Sequence, residues 1–298
     1  MIVPMTVPMT VPITAAFRDD PTTLVSTDWL AAHLGDPNLR ILDASWYLPA
    51  TGRDARTEYA AGHIPGAQFF DIDQHSDPAS PLPHMALATD EFARRMQAMG
   101  IGDGDQVVVY DGLGLFSAAR AWWLFRLMGK ADVAVLDGGL PKWLGEGRPV
   151  DTATPQPAAA RLQAKVPRAR VVDKAGVQRA LTGGHKELVD ARAANRFRGE
   201  VAEPRAGLRS GHIPGAKNVP FGQLLNADGT MKDAAGLRAA FAAAGVDLLR
   251  PVITSCGSGV TGTIVNLALE RLGHGDHALY DGSWAEWGAA GEVEVENG

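Results

Sequence analysis

Short runs of apolar residues alternate along the chain with longer segments whose apolar residues have helical spacing. Two of these runs, at 39–44 and 187–191, contain an aspartate near their end, as buried strands of a parallel sheet often do. Further runs of the same kind occupy residues 105–111, 133–139, 250–256 and 277–283. We expect a strand at each of these places.

Helical patterns follow two of the predicted strands, at 117–129 and 261–273. Each begins near a hydroxyl residue that suits a helix N-cap and stops at a glycine that suits the position after the C-cap. Regular alternation of strands and helices predicts an α/β fold, with a mostly parallel sheet flanked by helices and right-handed crossovers.

The same pattern occurs twice. Three pairs of markers appear in the same order and at nearly the same separation: GHIPGA at 62–67 and 211–216, VVVYDG and VITSCG at 107–112 and 252–257, and DGGLPKW and DGSWAEW at 137–143 and 281–287. A repeat of this length indicates two copies of a domain rather than a solenoid.

The predicted organisation places the two domains at residues 22–150 and 170–298. Residues 151–169 are rich in Ala and Pro and are expected to form an exposed linker. Residues 1–21 have repeated Val-Pro and Met-Thr units and no basic segment, which makes them a poor signal peptide and predicts a flexible tail.

Composition narrows the possible functions. The 298 residues carry a net charge of −6, with no basic cluster of the kind that binds nucleic acid or an anionic membrane. No apolar run approaches the roughly 20 residues that span a bilayer. A single cysteine excludes an internal disulfide, so we expect a cytoplasmic protein.

That cysteine, Cys256, lies in the glycine-rich stretch TSCGSGVTG, between a predicted strand and a predicted helix. Ligands of open α/β sheets bind beyond the carboxyl ends of the strands, and such a loop can turn its amides towards an anion. This setting stabilises a thiolate. A lone cysteine is more often a small buried apolar residue, but this position favours catalysis.

The repeat aligns Cys256 with Asp111, so only the second copy can perform cysteine chemistry. Cysteine phosphatases carry an arginine six residues after the thiol, where this chain has Gly262. A phosphoryl dianion would meet no cationic side chain in this loop, which disfavours a phosphatase.

Together these features resemble the tandem rhodanese-like sulfurtransferases, in which only the second domain carries the catalytic cysteine. CGSGVT at 256–261 is similar to the loop of members that use 3-mercaptopyruvate; thiosulfate-specific members have two basic residues after the cysteine. SWYLP, DIDQ and PHM, at 45–49, 71–74 and 83–85, support the resemblance.

The resemblance implies a set of site residues at the domain interface. Cys256 is the nucleophile that accepts sulfur, with Ser258, His84 and Asp73 as a proton relay. Arg196 and Arg205 hold the carboxylate and carbonyl of the substrate, and the loop residues Gly257, Gly259, Val260 and Thr261 line the substrate site.

Without the resemblance, His84 and Asp73 are ordinary loop residues, and an arginine in a polar loop is usually solvated or structural. Arg192 is expected to form a structural ion pair. Arg198 and Arg209 are expected to be solvated or structural charges only. His63 and His212 occur in both copies, which indicates a turn rather than a metal site. The Trp122–Trp123 pair is expected to pack in the core and at the domain interface.

The expected reaction moves the sulfur of 3-mercaptopyruvate through a Cys256 persulfide to thioredoxin, glutathione or another thiol, or to cyanide. No cofactor or metal is expected, and the chain is expected to be monomeric. Two alternatives stay open: a thiosulfate sulfurtransferase, and a rhodanese-like module that binds a partner without catalysis.

Overall fold

The computed structural model describes residues 19–156, 158, 160–289, 291 and 293–298. Most of the predicted tail, residues 1–18, therefore lies outside the described residues. Its last residues are held by the domain: the backbone amide and carbonyl of Asp20 both bond to Leu24, at 2.9 and 3.0 Å. Asp19 contacts the same domain, since its Oδ1 accepts the amide of Ser26.

The first domain alternates strands and helices. In chain order its elements are β1 Leu24–Val25, α1 Thr27–His33, β2 Leu39–Asp43, a 3₁₀ turn Pro49–Thr51, α2 Ala55–Ala61, β3 Ala67–Phe69, α3 Thr89–Ala98, β4 Gln106–Tyr110, α4 Ala118–Leu127, β5 Val133–Leu136 and α5 Gly139–Gly145.

The second domain repeats this order of strands and α-helices, with its 3₁₀ turn at a different place. Its elements are β6 Val171–Val172, α6 Lys174–Gly183, β7 Glu187–Asp190, α7 Ala194–Phe197, β8 Lys217–Asn218, a 3₁₀ turn Phe221–Leu224, α8 Ala234–Ala243, β9 Val252–Ser255, α9 Gly262–Arg271, β10 His277–Tyr280 and α10 Ser283–Trp287.

Within the described residues each domain has a five-stranded parallel sheet, in the orders β1-β5-β4-β2-β3 and β6-β10-β9-β7-β8. The central strands β4 and β9 consist mainly of buried residues, since helices cover both faces of a parallel sheet. The two orders are equivalent, so the predicted duplication and the α/β class are confirmed.

The six predicted strands correspond to β2, β4, β5, β7, β9 and β10. Four further strands were not predicted from the sequence, namely β1, β3, β6 and β8, which have only two or three residues. These edge strands form because a neighbouring strand offers its backbone groups, and a segment this short has no hydrophobic period of its own.

The two domains share one hydrophobic core. Helix α4 packs against α9, and Trp122 and Trp123 on α4 are each 1% exposed within a cluster that extends into both domains. The expected packing role of this pair is therefore confirmed. The predicted linker is not wholly exposed, because Leu162 and Ala169 are buried in the same cluster.

His63 and His212 fix equivalent turns. The Nδ1 of His63 lies 2.8 Å from the carbonyl of Tyr59, and the Nδ1 of His212 lies 2.8 Å from that of Phe197. Each imidazole also stacks on the aromatic ring of the residue whose backbone carbonyl it contacts. The turn interpretation of these histidines is confirmed. No helix among the described residues is both long and apolar enough to cross a membrane.

Candidate active site

Cys256 directly follows β9, and α9 begins at Gly262. The residues between them, with these two, form the cysteine loop (256–262). Its curvature is fixed by Ser283, whose Oγ accepts the amides of Cys256 at 3.2 Å and Gly259 at 3.1 Å and donates to the Tyr280 carbonyl. Ser283 was not among the site residues predicted from the sequence.

Gly259 is required by the shape of the cysteine loop. Its φ is +76°, and a Cβ would lie 2.9 Å from Asp281 Oδ1. Because its amide already donates to Ser283, Gly259 acts first through conformation, and a substrate contact from it stays a prediction. The amides of Gly257, Ser258, Val260 and Thr261 have no acceptor among the described residues, and they remain available to an anion.

Three of the predicted catalytic residues form a chain of hydrogen bonds across the domain boundary. Ser258 Oγ lies 2.9 Å from His84 Nδ1, and His84 Nε2 lies 3.0 Å from Asp73 Oδ1. His84 is buried while the Asp73 side chain is 64% exposed, so the chain runs from the cysteine loop to solvent. The hydrogen bond from His84 lowers the pKa of Asp73, which keeps this end of the chain ionised.

A further bond orients Asp73. The indole Nε1 of Trp46 donates to Asp73 Oδ2 at 3.1 Å, and the Trp46 ring meets the imidazole of His84 edge-on at 4.9 Å. Both contacts come from the SWYLP segment, whose role the motif alone did not reveal.

A buried arginine of the first domain joins the two halves of the site. Arg120 is fully buried on α4; its Nη1 donates to Asp281 Oδ1 at 2.6 Å and to the Gly259 carbonyl at 3.2 Å. Its Nη2 donates to the His84 carbonyl. Arg120 therefore holds the cysteine loop and the His84 segment in one arrangement. The sequence signal was a lone arginine within the otherwise apolar start of α4.

Arg196 and Arg205 both lie beside the cysteine loop. A Cβ built on Gly257 would be 3.2 Å from Nη2 of Arg196 and 4.0 Å from Nη1 of Arg205. Arg196 is held by a buried glutamate, Glu203, through two hydrogen bonds at 3.3 and 2.5 Å. The two guanidinium groups thus border the residue next to the thiol.

Arg205 differs from Arg196 in having no hydrogen bond or ion pair within the described part of the chain. Burial lowers the pKa of Arg205 and Arg196 acts in the same sense, whereas Cys256, Asp73 and Glu203 oppose them. A guanidinium stays protonated at neutral pH despite such shifts. Arg205 is therefore a charged donor beside the cysteine loop that has no hydrogen bond to a carboxylate among the described residues.

The other arginines of this region are structural, as predicted. Arg192 is fully buried between Asp190 and Glu203, at 2.7 and 2.8 Å. Arg198 pairs with Glu200 on the surface, and Arg209 donates to three backbone carbonyls.

Among the described residues no group of three or more His, Cys, Asp or Glu side chains has the arrangement of a metal site. The cations near the thiol are arginines, which can bind an anionic ligand. A nucleophilic sulfur, free amides, two guanidinium groups and a hydroxyl–imidazole–carboxylate chain can together support covalent transfer of a group from an anion.

Known proteins share this arrangement. A family model described as "Rhodanese-like domain" matches residues 26–146 and 174–290. Human 3-mercaptopyruvate sulfurtransferase is 44% identical over 270 residues, which cover 89% of this chain and 91% of that protein. Bovine thiosulfate sulfurtransferase is 45% identical over 271 residues, with coverages of 89% and 91%.

The fold comparison agrees. The crystal structure of SseA from Escherichia coli, described among the 3-mercaptopyruvate sulfotransferases, superposes with a TM-score of 0.80 at 42% identity and covers 88% of this chain and 99% of that chain. The two segments matched by the family model contain most of the elements of the two sheets. The resemblance noted in the sequence is thereby confirmed, and the chain belongs to the rhodanese family as a sulfurtransferase with two rhodanese-like domains.

Proposed function

We propose that the protein transfers the sulfur of 3-mercaptopyruvate, through a persulfide on Cys256, to a thiol or to cyanide, and releases pyruvate. The observation that carries this proposal is the unpaired guanidinium of Arg205, which lies with Arg196 beside Gly257, the neighbour of the thiol. Guanidinium forks bind carboxylate and carbonyl oxygens well, and 3-mercaptopyruvate carries both next to its sulfur.

In the first half-reaction the Cys256 thiolate attacks the thiol sulfur of 3-mercaptopyruvate. The new S–S bond forms as the C–S bond breaks, and the bonding electrons leave on carbon as the enolate of pyruvate. The enzyme keeps the sulfur and its proton as a persulfide, and a proton added to the enolate carbon completes pyruvate. Covalent capture divides one difficult transfer into two easier ones.

The enolate needs a proton at the moment when the C–S bond breaks. Ser258 supplies a hydroxyl group within the cysteine loop, and its 2.9 Å contact with His84 gives it a route to Asp73 and solvent. A positioned acid within hydrogen-bond reach contributes about 10²–10⁴-fold to such a step. The relay of Ser258, His84 and Asp73 is supported by these contacts and by the resemblance.

In the second half-reaction an acceptor thiolate attacks the outer sulfur of the persulfide. The S–S bond breaks, the acceptor leaves with the sulfur, and Cys256 returns as a thiolate. With cyanide the product is thiocyanate. We propose thioredoxin, glutathione or a similar thiol as the acceptor, a monomeric enzyme, and a cytoplasmic location, where the single cysteine stays reduced.

The second candidate is a thiosulfate sulfurtransferase, which the similarity to the bovine protein favours. The cysteine loop argues against it, because Gly257 and Ser258 supply no positive charge for a dianion. A module without catalysis is the weaker alternative, since Cys256 is present together with the complete relay.

The test compares two reactions on the wild-type enzyme and on Cys256→Ser. Pyruvate release is measured from 3-mercaptopyruvate, and thiocyanate from thiosulfate, with cyanide as the common acceptor. We expect a preference for 3-mercaptopyruvate that the substitution abolishes. A preference for thiosulfate would favour the second candidate, and no turnover of either compound by folded, reduced enzyme would favour the binding module.

A further inference from the structure

Four charged side chains form an alternating row beneath the substrate side of the cysteine loop. The row runs Asp190, Arg192, Glu203, Arg196, with closest N–O distances of 2.7, 2.8 and 2.5 Å. The first three side chains are at most 3% exposed, while Arg196 is 21% exposed at the end that reaches Gly257. The row therefore begins in the core and ends beside Gly257 of the cysteine loop.

The row is electrically balanced, as buried charges must be. It contains two guanidinium groups and two carboxylates, so Arg196 arrives at the site with its charge already matched by Glu203. Arg205 has no carboxylate within ion-pair distance among the described residues, and Cys256, Asp73 and Glu203 act on its charge without a direct contact. One guanidinium without a contacting carboxylate thus faces the loop.

We infer that Glu203 is a positioning residue that sets the charge selectivity of the site: by neutralising Arg196, it leaves a single free cation and so favours monoanionic sulfur donors over dianionic ones. This inference rests on the proposed function and deepens it. 3-Mercaptopyruvate with a protonated thiol is a monoanion, whereas thiosulfate carries two negative charges. A second uncompensated cation would benefit the dianion more, because Coulomb energy scales with the product of the charges.

The test is the ratio of two specificity constants on the same preparation, kcat/KM for 3-mercaptopyruvate divided by kcat/KM for thiosulfate, with cyanide as acceptor in both. For Glu203→Gln we expect this ratio to fall by about tenfold, because the freed charge of Arg196 now meets the second charge of thiosulfate. Partial unfolding lowers both constants by the same factor, so a loss of folded protein alone would leave the ratio unchanged.

Two controls accompany this variant. Glu200→Gln removes a carboxylate that pairs with Arg198 on the surface of the same segment, and it should leave the ratio within about twofold of wild type because exposed charges are screened. Glu203→Asp keeps the charge and should restore most of the ratio.

A double variant, Arg196→Gln with Glu203→Gln, removes one charge of each sign and keeps the site at one free cation. Its absolute rates should fall, but its ratio should stay near the wild-type value, and this arm remains informative if Glu203→Gln alone fails to fold. An unchanged or rising ratio in Glu203→Gln, or a tenfold shift in the double variant, would overturn the inference. If the wild type shows no Cys256-dependent turnover of 3-mercaptopyruvate, the proposed function itself fails, which is a separate result.

Discussion

The two copies of the domain differ in what the backbone amides of the equivalent loop bind. In the first domain the loop after β4 (residues 111–117) begins with Asp111, whose carboxylate accepts the amides of Leu113, Phe116, Ser117 and Ala118 at 2.7 to 2.9 Å. In the second domain the equivalent position is Cys256, and most of the corresponding amides have no acceptor. The loop of the first domain thus contains its own anion, whereas the free amides of the cysteine loop can bind one.

This difference shows what the cysteine loop is built to hold. A buried carboxylate with four amide donors demonstrates that the backbone of this turn stabilises a negative charge at the position of the first side chain. The same backbone in the second domain would stabilise the Cys256 thiolate and, after transfer, the persulfide. The loop of the first copy is thus an internal comparison for the proposed catalytic loop.

The largest expected effect comes from making the two loops alike. In Cys256→Asp the new carboxylate can accept the amides of Ser258, Thr261 and Gly262, so we expect a folded protein whose sulfur transfer has dropped by more than about 10³-fold, since the nucleophile is gone. Thermal unfolding should occur no lower than in Cys256→Ser. A protein that fails to fold would mean that the two loops are not equivalent.

A second change removes the carboxylate from the loop of the first domain. Asp111→Ala leaves four amides of a buried loop without an acceptor, and we expect the free energy of unfolding to fall by about 3 kcal/mol. Urea denaturation measures this loss. The kcat per folded molecule should stay near wild type, because Asp111 belongs to the inactive copy; a large loss of kcat would contradict the division of roles.

The His84 segment offers a smaller test. His84 has φ +61° and lies two residues before Ala86, whose amide donates to Asp281, the residue after β10. Its counterpart in the second domain is Gly229, which has φ +80° and lies two residues before Met231, whose amide donates to Asp137, the residue after β5. We expect His84→Gly and His84→Ala to lose about 10²-fold in kcat through the broken relay. The glycine variant should be more stable than the alanine variant by about 1 kcal/mol, because alanine retains the left-handed strain. Equal stabilities in thermal denaturation would contradict this assignment.

The aspartates that directly follow β5 and β10, Asp137 and Asp281, differ in their partners. Asp281 pairs with Arg120, whereas Asp137 has a hydrogen bond from the Met231 amide and no ion pair among the described residues. Burial raises the pKa of Asp137 from 3.8 to about 6. The folded state thus holds this proton more tightly than the unfolded chain does, so its contribution to stability is complete below about pH 4 and is lost as the pH rises through about 6.

Asp137→Asn should therefore stabilise the protein on the order of 2 kcal/mol at pH 8 and little at pH 4. The amide oxygen can still accept the Met231 amide, so the hydrogen bond is retained. Denaturation at both pH values checks the sign. A variant that is less stable than wild type at pH 8 would show that Asp137 contributes as a carboxylate.

The central strands, the long helices and the cysteine could be predicted because each has a local signal: a hydrophobic period, a cap or a unique residue type. The edge strands could not, since a pair such as Val171–Val172 takes its conformation from β10. Glu203 was equally hidden, because a glutamate in a polar loop gives no sign that folding will bury it between Arg192 and Arg196.

Two functional positions could have been found by comparing the copies more closely. Ser283 has φ +48° where the first domain has Gly139 with φ +53°, and His84 likewise stands opposite Gly229. A side chain at a position where the other copy has glycine with positive φ costs about 1 kcal/mol of backbone strain, so its retention indicates a contact that offsets the strain. At Ser283 this contact is the pair of hydrogen bonds that its Oγ accepts from the amides of the cysteine loop.

Arg120 lies in the inactive domain, yet it contacts the carbonyls of both Gly259 and His84 and forms a buried ion pair with Asp281. Neither half of a chain cut between the domains could inherit the activity, because each would carry an incomplete site. The copy without a cysteine is consequently constrained in its sequence as the other copy is, because the arrangement of the cysteine loop depends on its arginine.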